Sequence, residues 1–284
     1  MVPPDATATT RVKVGLLQPA TRKRDLEHNL TLLESLATQA ARRGACIACT
    51  PECMLDGYSF DDPEFQADPA RYCIEIDGSK RDRACRDLAK RLGIHLIVGM
   101  STMEAGTPPV YRNAAVLYDA GGQNRGIYFK MHSTSGNLEA SFYKAGEAFP
   151  VFDVNLDGVE TRIGIMICYD RQIPEVARAL RVNGAEIIFN PSATNNFARG
   201  WNTRLLQTRA YENKCFVVSI NHALPRLCGR SMVANSSGSV ITRLAAWQQV
   251  RVVELDLDAV RSGEKDVNTR RPAMYGDLVR RKPD

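Results

Sequence analysis

The chain has 284 residues, of which 44% are hydrophobic, so it can bury a large core and is neither a disordered tail nor a linker array. Its formal charge of +5 is scattered except near the C-terminus, at Arg270-Arg271 and Arg280-Arg281-Lys282. No aromatic-basic module or recognition helix accompanies those runs, so they read as a solvated or subunit-packing tail and not as a nucleic-acid interface. The first ten residues are polar, without the apolar stretch of a signal peptide, and no apolar run approaches the length of a membrane span. A soluble, cytoplasmic protein is expected.

Taken in order, strand and helix patterns alternate. Strand Val12–Gln18 leads to a helix near Leu26–Arg43, then to the buried run Ala45-Cys-Ile-Ala-Cys-Thr50, which Pro51-Glu52 closes. A helix near Arg81–Leu92 precedes strand His95–Met100 and a hairpin over 114–130, whose turn is Gly121-Gly122 and whose return arm ends at Lys130. Gly78-Ser79 and Gly121-Gly122 are loop signals, not domain boundaries. The apolar run Arg162-Ile-Gly-Ile-Met-Ile-Cys168 reads as a strand, followed by a helix over Pro174–Asn183. Strand Glu186–Asn190, a helix over Asn202–Asn213 and strand Cys215–Asn221 come next. Strands near Arg230–Asn235, Val240–Thr242 and Val250–Leu257 complete the pattern. Crossovers mixed with hairpins predict mixed sheets covered by helices in a single α/β domain, with a core over about 12–257 and a C-terminal segment over 258–284.

Three chemically distinct side chains end strands in this pattern: Glu52, Lys130 and Cys168. Each alone has an ordinary reading, as a solvated surface charge or a buried core cysteine. Together a carboxylate, an ammonium and a thiol form an acyl-transfer set of base, oxyanion stabiliser and nucleophile. At a strand-to-helix junction, Cys168 is expected to face the positive end of a helix dipole, with a lowered pKa. A Cys–His pair is the alternative route to a reactive thiol, with His132 or His222 as partner, but it leaves Glu52 and Lys130 without work.

Eight cysteines without a secretory signal are expected to be reduced. Cys46-x-x-Cys49 followed by Cys53 lacks a second ligand pair at zinc-site spacing, so no metal is expected. No Gly-rich phosphate loop stands out, and a cofactor-free enzyme is expected.

Three stretches sharpen this reading: Pro51-Glu52-Cys-Met-Leu-Asp-Gly-Tyr58, Tyr128-Phe-Lys130-Met-His132 and Ile165-Met-Ile-Cys168-Tyr-Asp-Arg-Gln-Ile-Pro-Glu175. With Asn113-Ala-Ala-Val-Leu117, Asn190-Pro-Ser192, Arg209-Ala-Tyr-Glu-Asn213 and Gly229-Arg-Ser-Met232, the chain resembles the nitrilase, or carbon–nitrogen hydrolase, superfamily from about Val12 to the 250s. The resemblance implies a four-layer α-β-β-α sandwich and a Glu52-Lys130-Cys168 triad assisted by Glu139. It also implies a thioester mechanism with the Tyr169 backbone N–H helping to hold the oxyanion. The substrate would be a small non-peptide amide or an N-carbamoyl (ureido) acid, with Tyr169, Arg171, Thr194 and Asn195 around it. Arg171 is read either as a bidentate clamp on a substrate carboxylate or as a structural salt bridge. Gln172 departs from the carbamoylases of D-amino acids, which carry a second arginine there. Tyr169-Asp170 argues against a nitrile substrate, for which Trp-Glu is usual, and the intact triad argues against a silent interaction subunit. Family members associate beside the nucleophile strand. A homodimer or larger even-numbered homo-oligomer is therefore expected, through the helix Pro174–Asn183 and the segment from Arg270.

Overall fold

The computed structural model describes residues 10–133, 138–195 and 200–279. Two six-stranded sheets lie face to face between two pairs of helices. The first contains β1 (Arg11–Gln18), β2 (Ile47–Cys49), β3 (His95–Glu104), β4 (Val110–Tyr118) and β5 (Asn124–Phe129) in that order, with β12 (Gln249–Asp256) beside β1. The second runs β11-β10-β9-β8-β7-β6, from β6 (Val151–Leu156), β7 (Val159–Ile165), β8 (Ile187–Ser192), β9 (Phe216–Asn221), β10 (Met232–Ala234) and β11 (Val240–Arg243). Each sheet has a parallel centre, β1-β2-β3 and β7-β8-β9, with antiparallel strands outside it. The parallel strands are buried on both faces, which is why β2 and the first halves of β8 (residues 187–189) and β9 (residues 216–218) read as apolar runs and not as alternations.

Three apolar layers follow. Val14, Leu16, Ile97 and Leu117 meet Ile163, Ile165, Phe189 and Val218 between the sheets. Helix α1 (Leu26–Arg42) turns Leu33, Leu36 and Ala40, and α3 (Lys80–Leu92) turns Cys85 and Leu88, onto the outer face of the first sheet. On the second sheet, α5 (Pro174–Val182) supplies Val176 and Leu180, and α6 (Trp201–Asn213) supplies Leu206 and Ala210. The result is the expected α-β-β-α sandwich. Helix α3 starts where Ser79 accepts the Asp82 N–H and stops at Gly93, φ 64°, so Gly78-Ser79 is a cap as well as a loop. Two short helices, α2 (Pro63–Ala67) and α4 (Leu138–Phe142), flank the end of the first sheet. Two more, α7 (Asp258–Arg261) and α8 (Glu264–Asn268), open the C-terminal segment, where Val260 and Val267 are buried and Met274, Leu278 and Val279 are exposed.

The structure corrects the sequence reading in two places. Strand β7 stops at Ile165, its last pair with β8, and Cys168 opens a 3-10 turn over Cys168–Gln172 instead of ending a strand. Strand β6 was not anticipated, although its exposed Asp153 and Asn155 alternate with buried Val154 and Leu156 before an Asp157-Gly158 turn.

One glycine decides where Glu52 sits. A Cβ on Gly99, in the middle of β3, would lie 2.1 Å from the Pro51 carbonyl oxygen and 3.0 Å from the Glu52 Cα. The chain leaving β2 crosses β3 only because that side chain is absent, and the Gly99 N–H donates to Thr50 Oγ1 at 2.9 Å. Gly99→Ala is expected to destabilise the fold by about 1–3 kcal/mol through overpacking against backbone. It should lower activity further than the lost folded fraction accounts for, because the displaced segment carries Glu52. Urea unfolding alongside turnover measures both. An unchanged midpoint with full turnover would show that the segment relaxes freely.

Candidate active site

Glu52 follows β2, Lys130 follows β5 and Glu139 lies in α4, and all three are at least 95% buried. Lys130 Nζ donates to Glu52 Oε1 at 2.7 Å and to Glu139 Oε1 at 2.6 Å. Asn113, from β4, spans the same two carboxylates, its Nδ2 donating to Glu52 Oε1 at 2.7 Å and Glu139 Oε1 at 3.0 Å. Glu52 Oε2 is buried and has no hydrogen-bond partner among the described residues. Burial opposes the charge on Lys130, but Glu52, the thiolate form of Cys168 and Glu139 outweigh it and hold the ammonium above its ordinary range. Glu52 moves the other way from a simple ion pair. Burial and the neighbouring Glu139 raise its pKa against the pull of Lys130, which makes it a better base than a solvated carboxylate. Tyr58 is half-buried near the same charges. Burial first, then Glu52, Glu139 and Cys168, keep its hydroxyl protonated.

Cys168 has φ 46°, the left-handed region that costs a non-glycine residue free energy and recurs where a nucleophile is projected from a tight turn. Its side chain is 8% exposed. The sulfur lies 3.6 Å from Thr194 Oγ1, 3.9 Å from the Ala193 carbonyl oxygen and 3.5 Å from Arg171 Nη1. The expected depression of its pKa is reversed: burial and the Glu52 charge push the thiol up, against the pull of Arg171 and Lys130. Helix α5 begins only at Pro174, so the 3-10 turn separates its N-terminus from the sulfur. The resting group is a thiol, and it needs a base.

Two buried side chains tie the sheets together around these groups. Asp170, in the turn of Cys168, accepts the Ile167 N–H at 2.9 Å and the Tyr128 hydroxyl at 2.8 Å on Oδ2. Its Oδ1 accepts the His132 N–H and lies 2.9 Å from His132 Nδ1. Asp170 thus grips both sides of Lys130 from the other sheet. His222, after β9, reaches back to the first sheet, with Nδ1 2.7 Å from Thr21 Oγ1 and Nε2 2.7 Å from the Glu52 carbonyl oxygen. Both histidines are therefore engaged away from the thiol, and the Cys–His alternative finds no pairing here.

The remaining candidates separate. Arg171 and Thr194 lie at the sulfur itself and not at the far end of a substrate. Arg171 donates to Asn202 Oδ1, the Cys168 carbonyl, Ser192 Oγ and Thr194 Oγ1, and neither a substrate-facing carboxylate clamp nor a salt bridge fits that arrangement. Tyr169 is half-buried in the same turn, and Asn195 is exposed. Asn113, Asp170, Asn202 and His222 were not singled out from the sequence as site residues. Asn113 and Asp170 lie inside the sequence motifs above, whereas nothing local marks Asn202, and in sequence His222 reads only as an alternative base. Among the described residues, no group of three or more His, Cys, Asp or Glu side chains is arranged to hold a metal ion.

The fully buried His222 gives a pH test. Burial lowers its pKa from about 6.5 to about 4, so the folded protein holds a neutral ring that the unfolded chain protonates first. Its stabilising contribution is present above pH 6.5 and is lost as pH falls toward 4. Asp56 runs the opposite way: burial raises it to about 6, so its contribution grows as pH falls through 6. Comparing wild type with His222→Gln cancels Asp56. The stability advantage of wild type over this variant is expected to shrink by roughly 3 kcal/mol between pH 7.5 and 4, read from urea midpoints. A constant gap would mean the ring is not neutral in the fold.

Comparison with known proteins agrees with this geometry. Residues 13–265 match the carbon-nitrogen hydrolase family model. The chain is 32% identical over 278 residues to the "Hydrolase in pqqF 5'region" of Pseudomonas protegens, covering 95% of this chain and 93% of that protein. It is 27% identical over 281 residues to the N-carbamoylputrescine amidase of Arabidopsis thaliana, covering 90% and 91% respectively. Among solved structures, the amidase from Nesterenkonia sp. AN1, in a variant with acrylamide added at its active-site cysteine, superposes with a TM-score of 0.78 at 25% identity. That match covers 94% of this chain and 100% of the other. With a nitrilase-type sandwich, a cysteine at the strained turn and the family model spanning most of its length, the chain belongs to the carbon-nitrogen hydrolase family.

Proposed function

We propose that this chain is an amidase that hydrolyses a small non-peptide amide through a thioester on Cys168. The observation that carries the reading is the state of Glu52: one carboxylate oxygen is tied to Lys130 and Asn113, and the other is buried without a hydrogen-bond partner among the described residues. Its charge acts on a thiol that is protonated at rest. Glu52 takes the Sγ proton as sulfur bonds to the amide carbon. The resulting oxyanion is held by the Lys130 ammonium and the Tyr169 N–H. Collapse breaks the C–N bond, Glu52 returns the proton to nitrogen, and ammonia or an amine leaves. Glu52 then deprotonates a water that attacks the thioester, and that proton goes back to sulfur as the acid is released. Glu139 keeps Lys130 charged and in place.

Two observations narrow the substrate. The internal hydrogen bonds of Arg171 remove the support for a carboxylate clamp, and with it the preference for ureido acids. Tyr169-Asp170 disfavours nitriles. The likeness to N-carbamoylputrescine amidase supports a second reading, an N-carbamoyl compound whose terminal amide meets the same machinery.

Ammonia release from a panel of amides, ureido compounds and nitriles tests this. Turnover of amides, or of ureido compounds with or without a carboxylate, is expected; turnover of nitriles alone would overturn the reading. On the active substrate, Cys168→Ala should abolish turnover, and Glu52→Gln and Lys130→Ala should each lower kcat by about a hundredfold or more. Losses under tenfold for both charge variants would show that the roles are misassigned.

The same reading carries an assembly, a homodimer or a larger even-numbered homo-oligomer built through α5 and the C-terminal segment. Helix α5 turns Val176 and Leu180 inward but leaves Val182 55% exposed, near a segment whose Met274 and Leu278 are each 66% exposed. Light scattering at micromolar concentration should give at least the dimer mass, and a monomer would remove the proposal.

A further inference from the structure

Arg171 is 4% exposed, and its contacts account for the donors of a guanidinium. Nε and Nη2 grip Asn202 Oδ1 at 3.1 and 2.8 Å, and Nη2 also reaches Thr194 Oγ1 at 3.0 Å. Nη1 donates to the Cys168 carbonyl oxygen at 2.7 Å, lies 3.3 Å from Ser192 Oγ, and points at Cys168 Sγ from 3.5 Å. Every one of these partners is neutral, and among the described residues no carboxylate pairs with this guanidinium. A cation buried among neutral acceptors is costly unless an anion forms beside it. The atom it faces that can become an anion is the sulfur.

We propose that Arg171 is the fixed counter-charge of the nucleophile, holding the Cys168 thiolate as Glu52 removes the proton. The proposal rests on the thioester reading above. Local geometry explains the placement. Residues i and i+3 of a 3-10 turn lie one above the other, so the third residue after Cys168 brings its side chain to the sulfur. The polar atoms of Ser192 and Thr194, at the end of β8, and Asn202, in the first turn of α6, then fix the plane of the fork. Charge balance completes the argument. Before proton transfer, Lys130 faces two carboxylates while Arg171 has only neutral partners. Afterwards Glu52 is neutral, Lys130 faces Glu139, and Arg171 faces the thiolate. Moving the proton therefore leaves each charge beside one opposite charge. Arg171 and Lys130 are the two cations that favour the thiolate.

The test separates charge from scaffolding. Arg171→Gln keeps a donor but removes the charge, whereas Arg171→Lys keeps the charge on a poorer frame. The rate of iodoacetamide alkylation at Cys168, located by peptide mapping, is followed against pH together with kcat and KM on the amide substrate. For Arg171→Gln, the alkylation profile should move to higher pH by at least a unit, with kcat down by about tenfold to a hundredfold and KM little changed. Arg171→Lys should lie nearer to wild type in both. Profiles that stay in place, or that move equally in the two variants, would overturn the proposal and leave Arg171 as scaffolding. Should Arg171→Gln fail to fold, by circular dichroism, Arg171→Met takes its place as the uncharged variant: an upward shift of at least a unit supports the counter-charge, and a profile identical to wild type overturns it. Failure of the thioester reading looks different, because Cys168→Ala would then keep its turnover whatever Arg171 does.

Discussion

An ammonium placed between two carboxylates away from water is the constraint around which this molecule is arranged. Burial opposes the charge on Glu52 and on Lys130 alike, and Lys130 keeps its charge there because carboxylates face it. The cluster survives because its members arrive from four elements: the ends of β2 and β5, the middle of β4 through Asn113, and α4. A glycine in β3 makes room for the first of them. Removing one partner strands a buried charge, so the elements that carry them are held in register far more strictly than apolar packing requires.

That strictness matters because apolar packing between the sheets has little direction. Val14, Leu16, Ile163 and Ile165 resist separation, but a small slide would cost them little. Asp170 and His222 do resist sliding. Each is fully buried, each makes contacts of 2.7–2.9 Å to the opposite sheet, and each grips backbone next to a member of the charged cluster. Asp170 fixes the segment of Lys130 relative to Cys168, and His222 fixes Glu52 relative to the end of β9. Positions good to a fraction of an ångström thus come from hydrogen bonds, while the free energy of folding comes from the layers around them.

The sequence made the layers legible because burial on both faces leaves apolar runs, and Glu52 and Lys130, which follow β2 and β5, meet at 2.7 Å. What it hid depends on contacts between distant segments. The pKa of Cys168 moves up and not down, because desolvation and Glu52 are tertiary facts, whereas the strand-to-helix pattern suggested only a dipole. The strand before it ends at Ile165 because pairing with β8 ends there, which no local apolar count reveals. Arg171 stands out in the sequence as a fork, but its partners do not. Apart from the Cys168 carbonyl, its acceptors come from segments some twenty to thirty residues away, and the fork looks the same in sequence whether it meets a ligand or the protein.

These charges also bear on what can enter and what must leave. Two cations and two carboxylates balance when the thiol is protonated, so a neutral amide joins them without adding a charge to desolvate. On the proposed reading the product is an acid, and it ionises beside Glu52 and Glu139. Lys130 already serves both of those carboxylates, and the Arg171 donors return to neutral acceptors once sulfur is reprotonated. A third carboxylate then finds no unused cation among the charges described. The arrangement that makes the thiolate affordable therefore also disfavours the product. On that reading, a site built around the fixed charges Lys130 and Arg171 discriminates between a neutral reactant and a charged product without any moving part.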